Sequence, residues 1–146
     1  MDSFEYIPPT GPLEILHQDR DVVAVNKSSG LLCAPGRRHS DSALTRLRMQ
    51  IDPLYPVHRL DMDTSGVLLF ALRRKAERHM KAQFQNRTIK KIYRAVVCGR
   101  LIHETGIVDF PLSRVGGLPP RSVVDMEAGK PALTQYRVLD VIGGYT

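Results

Sequence analysis

The chain lacks any apolar run long enough to cross a membrane, and its opening residues, Met1-Asp2-Ser3-Phe4-Glu5, lack the basic start and apolar core of a secretory leader. Cysteine is scarce. Cys33 and Cys98 lie far apart, with no Cys-x-x-Cys pair and no nearby histidine spacing, so they signal neither a disulfide framework nor a zinc site. Both are expected to be buried small apolar residues. No internal repeat and no low-complexity tract occurs. These absences speak against a membrane-spanning helix, a disulfide scaffold and a repeat architecture, and the expected compartment is the cytoplasm. At 146 residues it is long enough for one domain with a real core and too short for two comfortable ones.

Acidic residues are also few where basic ones are many. Residues 37–100 hold 15 Lys and Arg against 5 Asp and Glu, a net charge of +10, whereas residues 1–36 carry −3 and residues 101–146 carry −1. The whole positive excess of the +6 chain therefore lies in its middle, which favours a polyanionic partner. The alternative is that Arg73, Arg74, Lys75, Arg78 and Lys81 are the solvated face of a helix.

What the chain does contain reads as mixed helices and strands. Leu13–Leu16 and Val22–Val25 form a hairpin pattern around the polar turn Gln18–Asp21. Ser42 or Asp41 caps a helix running to about Ile51, with Leu44, Leu47 and Ile51 on one face, before Pro53 and Pro56 break it. Val67–Leu72 is an unbroken apolar run of strand length, expected in the core. Ala76, Met80 and Phe84 mark the inner face of a second helix over 74–86, with a basic outer face. Residues 88–98 alternate with period two and read as a long strand. Shorter strands are expected over 106–110, 122–126 and 133–142, separated by the loop Gly116-Gly117-Leu118-Pro119-Pro120 and a turn at 128–131.

The chemistry concentrates in His58-Arg59-Leu60-Asp61-Met62-Asp63-Thr64-Ser65-Gly66, just before the apolar run. A carboxylate there is a covalent nucleophile, a general base, or an Asp that merely closes a turn through its own backbone. A kinase catalytic loop is excluded, because His-Arg-Asp is not contiguous and no glycine-rich loop or Asp-Phe-Gly is present. A retaining glycosidase needs a second carboxylate, for which Asp63 is the near candidate, but nothing else supports sugar binding.

His58-Arg59-Leu60-Asp61 with Thr64-Ser65-Gly66-Val67-Leu68-Leu69 resembles the signature of the RluA family of pseudouridine synthases. Further blocks agree in order: Val25-Asn26-Lys27, Ser29-Gly30-Leu31-Leu32, Pro35-Gly36, Lys90-Lys91-Ile92-Tyr93, and Gly129-Lys130-Pro131-Ala132 with Thr134 and Tyr136. The resemblance runs from about residue 13 to residue 142. It implies an α+β fold, with a mixed, mainly antiparallel sheet and flanking helices, in a catalytic domain over 13–146 after an extension over 1–12.

It also implies a reaction, the isomerisation of specific uridines to pseudouridine in structured RNA, with no metal and no cofactor. Asp61 would be the essential catalytic group, by attack on the sugar or by removal of a sugar proton, and Tyr93 would stack on the target base. Arg59 would fill the gap left by an unstacked base, with His58, Arg37, Arg38, Lys90 and Lys91 as further RNA-binding residues. The subgroup most resembled acts on both large-subunit (23S-type) ribosomal RNA and transfer RNA anticodon stem-loops, and lacks the S4-like domain of other relatives. One departure stands out: the family's Gly-Arg-x-His-Gln-Leu-Arg block is absent, so the fold is expected to be incomplete at the C-terminus. The competing reading is a non-catalytic RNA-binding module or inactive fragment using the same basic segment.

Overall fold

The computed structural model describes residues 5–37, 39–116 and 121–146. Arg38 and residues 117–120 of the glycine- and proline-rich loop lie outside the described residues. Two compact units divide the chain, Met1–Lys91 and Ile92–Thr146.

The first unit is built on an antiparallel sheet of four strands, β1 (Glu14–Gln18), β2 (Val22–Lys27), β3 (Tyr55–Pro56) and β4 (Gly66–Ala71), in the order β1-β2-β4-β3. The hairpin expected from the sequence is β1–β2, and its turn is closed by Asp19, whose Oδ1 accepts from the amides of Asp21 at 2.7 Å and Val22 at 2.8 Å. Those two amides hold the Asp19 carboxyl down at about 2. The apolar run forms β4 and pairs with β2, Val23 opposite Phe70 and Val25 opposite Leu68. These four side chains share one face and are almost wholly buried.

Against that face packs α1 (Ala43–Arg48), through Ala43, Leu44 and Leu47, with Leu13, Leu31 and Leu54 completing the cluster. Ser42 is its cap: Ser42 Oγ accepts from Thr45 N at 3.1 Å while Thr45 Oγ1 accepts from Ser42 N at 2.8 Å. Asp41 instead pairs with Arg46 at 2.6 Å, and the same guanidinium reaches the carbonyls of Pro9 and Gly11, tying the N-terminal segment down. The helix stops at Arg48, short of the expected Ile51, although Ile51 N still reaches Leu47 O at 3.0 Å as a last turn.

The second helix, α2 (Arg74–Gln85), packs against β3 and β4 with Ala76, Met80 and Phe84 half-buried, as their spacing requires. Its outer face is only partly a free cationic surface. Glu77 takes Arg74 at 3.0 Å and Lys81 at 2.7 Å, Arg74 lies 4.3 Å over the Tyr55 ring, and Arg73 grips Asp21. Lys75 and Arg78 make no ion pair among the described residues.

The second unit holds two antiparallel pairs, β5 (Thr105–Asp109) with β8 (Leu133–Arg137), and β6 (Leu112–Val115) with β7 (Arg121–Val124). At Gly106 a Cβ would lie 2.5 Å from the Tyr136 ring, so the ring's seat on β5 requires glycine there. Three expectations are corrected here. Residues 88–98 are not a strand: they make only an isolated bridge, Cys98 with Tyr145, because alternation does not supply the neighbouring backbone a ladder needs. The last strand ends at Arg137 rather than Ile142. Cys98 is exposed, not buried, and Cys33 is half-buried and hydrogen-bonded.

Candidate active site

The site is assembled on the first unit by a problem of burial. Alternation along β2 places Val23, Val25 and Lys27 on one side, so the Lys27 side chain enters the apolar face and is fully buried. An ammonium there must find acceptors or carry a penalty of several kcal/mol. It finds three carbonyls: Ser28 O at 3.0 Å, Leu31 O at 2.7 Å and Met62 O at 2.8 Å. Burial pushes its pKa below the ordinary lysine value, and the carboxylates of Asp63 and Asp61 act the other way.

One of those carbonyls, Met62 O, belongs to the turn that follows Asp61, and the same oxygen also accepts from Gly30 N at 2.9 Å. The neighbouring groups are held in the same manner. Asp63 O accepts from Ser29 Oγ at 2.7 Å, Leu60 is bonded on both its N–H and its C=O by the Cys33 sulfur, and Thr64 N closes the turn on Asp61 O at 3.1 Å. Every backbone carbonyl from Leu60 to Asp63 is thus occupied. The Asp61 side chain is exposed, on a backbone fixed from below.

The turn is fixed at both ends. Gly66 enters β4 at φ +113°, with nothing within 4 Å of a would-be Cβ, so it is the backbone conformation rather than space that selects glycine. At the other end Pro56 terminates β3, and the ladder gives way to a side chain: Leu69 N donates to His58 Nε2 at 3.0 Å. The imidazole stacks on Phe84 of α2, with ring centroids 4.5 Å apart. An Nε2 that accepts an amide proton belongs to a neutral ring protonated on Nδ1. Burial lowers its pKa, the Lys91 charge adds to that, and a backbone bond to Arg59 opposes it.

The structure therefore brings His58, Arg59 and Asp61 onto one anchored loop. Arg59 is exposed beside a depression of about 330 Å³ whose walls include Cys33, Pro56, Val57 and Phe70, which is mostly apolar. Arg37, Lys90 and Lys91 are exposed on the same unit, while Tyr93 belongs to the second unit and is 59% exposed. His58 is engaged on its ring face and on Nε2, so its place is in holding the loop. Lys27, Ser29 and Cys33 are the residues that motif reading gave no role; Lys27 and Ser29 fall within the blocks of the resemblance, and the lysine is also in phase with Val23 and Val25, while nothing in the sequence singled out Cys33. Among the described residues, no group of three His, Cys, Asp or Glu is placed to hold a metal ion, and no helix is long and apolar enough to cross a membrane.

Over most of its length the chain is similar to proteins of one family. A family model described as RNA pseudouridylate synthase matches residues 21–144. A protein of Pasteurella multocida named dual-specificity RNA pseudouridine synthase RluA is 46% identical over 142 residues, covering 95% of this chain and 65% of that protein. The Escherichia coli protein of the same name is 46% identical over 143 residues, 96% of this chain and 65% of its own length. The chain thus spans just under two thirds of these two curated relatives. Among solved structures, human RNA pseudouridylate synthase domain containing 4 superposes with a TM-score of 0.68 at 27% identity, covering 86% of this chain and 53% of that one. Human RNA pseudouridylate synthase domain containing 1 gives 0.74 at 24% identity, covering 88% and 54%, a likeness of fold.

Proposed function

Since the chain belongs to the RNA pseudouridylate synthase family, we propose that it isomerises specific uridines to pseudouridine in structured RNA, with Asp61 as the essential catalytic group. The single observation that carries this reading is the turn that begins at Asp61: the carbonyls of residues 60–63 are all used internally while the Asp61 carboxylate is left exposed and without a hydrogen bond among the described residues. A side chain that served only to close a turn would bond its own backbone, as Asp19 does.

The reaction breaks the bond between the sugar and N1 of uracil, turns the base, and joins C5 to the sugar as the C5 hydrogen leaves. Asp61 serves either by attacking the sugar carbon or by taking a sugar proton, and both need one carboxylate and no metal or cofactor. The target base must first leave its stack, at a cost of a few kcal/mol. Arg59 offers a planar guanidinium to the vacated gap, and the apolar depression beside it offers an unstacked base a dry wall. Tyr93 stacks on the target base. Arg37, Arg38, Lys90 and Lys91 hold the phosphate backbone, so that affinity falls as salt rises.

The names of the relatives speak of dual specificity, which supports two kinds of RNA as substrates, here taken to be 23S-type ribosomal RNA and transfer RNA anticodon stem-loops, as the sequence resemblance implies. The test is tritium release from both RNAs, labelled at uridine C5, by the whole protein and by Arg59→Ala. Release from both RNAs is expected, reduced about 10²-fold or more by Arg59→Ala if base extrusion limits the rate. RNA binding with no release from either would favour a non-catalytic binding module.

A further inference from the structure

Leu60, the residue that leads into Asp61, is held on both its backbone polar groups by one side chain, and its carbonyl belongs to the peptide that joins it to Asp61. Leu60 N–H donates to Cys33 Sγ at 3.2 Å, and the Cys33 thiol donates to Leu60 O at 3.1 Å. Two residues beyond Asp61, the Asp63 carbonyl accepts from the Ser29 hydroxyl at 2.7 Å. The two contacts straddle the carboxylate in sequence, and both come from the loop between β2 and α1.

That loop is itself fixed to the core. The first amides of α1, which have no partner inside the helix, donate to it: Ala43 N to Leu32 O at 2.8 Å and Leu44 N to Cys33 O at 3.1 Å. Leu32 N donates to the Tyr6 hydroxyl at 3.0 Å. A continuous line of hydrogen bonds therefore runs from buried Leu44 through Cys33 to the Leu60 peptide. Asp61 is the next residue, and the direction of its Cα–Cβ bond is set by that peptide.

We propose that Cys33, assisted by Ser29, is a positioning residue for Asp61. Both of its hydrogen bonds go to the Leu60 backbone, and through them it fixes the chain from which the carboxylate projects. The inference rests on the reading of Asp61 as the reacting carboxylate, and it adds that α1 and the loop before it set the aim of that group. A thiol suits the place because it both donates and accepts, and its neighbours on the inner side are apolar. Serine would keep both functions. Valine would keep most of the volume and neither function.

The experiment compares Cys33→Ser, Cys33→Val, Cys33→Ala and Ser29→Ala in the whole protein, with Asp61→Asn as the control for the underlying reading. For uridine conversion, kcat is expected to fall about tenfold to a hundredfold in Cys33→Val and Cys33→Ala with KM within about threefold, since misplacement of a reacting group by 1 Å costs up to about 10²-fold. Cys33→Ser is expected to keep kcat within about threefold, and Ser29→Ala to lose less than the valine variant, because its contact is more exposed. Amide hydrogen exchange supplies the second readout, at Leu60, with Val25 and Phe70 reporting whether the core is intact. Leu60 exchange at least about tenfold faster in Cys33→Val, with the core amides unchanged, is the expected result for one lost hydrogen bond. Wild-type kcat in both Cys33→Val and Cys33→Ala, or an unchanged Leu60 exchange rate, overturns the proposal. So does a serine variant as slow as the valine one. If Asp61→Asn remains active, the reading of Asp61 fails instead. If Asp61→Asn is dead while Cys33→Val is fully active, only the role of Cys33 fails.

Discussion

At Lys27 a full positive charge sits on the apolar side of β2 without a carboxylate against it, held only by three carbonyls. That choice of partners matters, because a carboxylate would tie the lysine to one side chain, whereas carbonyls tie it to two separate stretches of backbone. Lys27→Met keeps the shape and strands the acceptors. It is expected to lower stability by about 1–3 kcal/mol, read as a lower urea midpoint at unchanged m-value, with faster amide exchange at Thr64. An unchanged midpoint would mean that the three carbonyls are content with water. His58 behaves oppositely, since its structural bond requires the neutral ring. Its folded-state pKa lies below the ordinary 6.5, so the unfolded chain binds the proton more readily. Its contribution to stability is therefore complete above pH 6.5 and is lost as pH falls from 6.5 through the lowered value. His58→Gln, whose amide oxygen can accept from Leu69 N at any pH, is expected to flatten that part of the unfolding profile. A profile of the same slope in the variant would assign the titration to another group.

On the scale of elements, the turn at 61–64 is held by its surroundings more than by its own sequence. Its backbone bonds go to β2 and to the following loop, Cys33 holds Leu60 just before it, and its exit depends on the conformation of Gly66. Gly66→Ala meets no atom, so its cost is backbone strain alone: about 1–3 kcal/mol, read from the thermal or urea midpoint. A variant as stable as the wild type would show that the turn relaxes to negative φ without loss. Much of this was legible in the chain. The β1–β2 hairpin, the β4 run, the Ser42 cap and the inner face of α2 follow from alternation, turn residues and helical spacing, which are local signals. The Asp61 turn was legible as a motif, but its support was not. Cys33 and Ser29 reach it across a gap of about thirty positions in the chain, and no local pattern encodes such a pairing. Residues 88–98 failed for a related reason, since period two describes a chain ready to pair and says nothing of whether a partner strand is there.

For the molecule as a whole, charge and function separate more finely than the +10 middle segment suggested. Arg73, Arg74 and Lys81 spend their charge on Asp21 and Glu77, and Arg46 on Asp41, so part of the basic excess holds the fold together. Arg59, Arg37, Lys90 and Lys91 are exposed and in no ion pair among the described residues, free for the polyanion of the proposed function. Under the proposed function this division has a meaning: a scaffold partly neutralised from within leaves the Asp61 turn and a few cations free for an RNA substrate. Asp63 supplies an internal comparison, because it lies in the same turn, two residues from Asp61, and is exposed like it. The account is tested most directly by single-turnover conversion of uridine in RNA by Asp61→Asn and Asp63→Asn, with RNA affinity measured alongside. Asp61→Asn is expected to lose about 10²–10⁴-fold or more in rate with affinity little changed, while Asp63→Asn stays within about tenfold of wild type. Conversion by Asp61→Asn at the wild-type rate, or an equal loss in both variants, would contradict it.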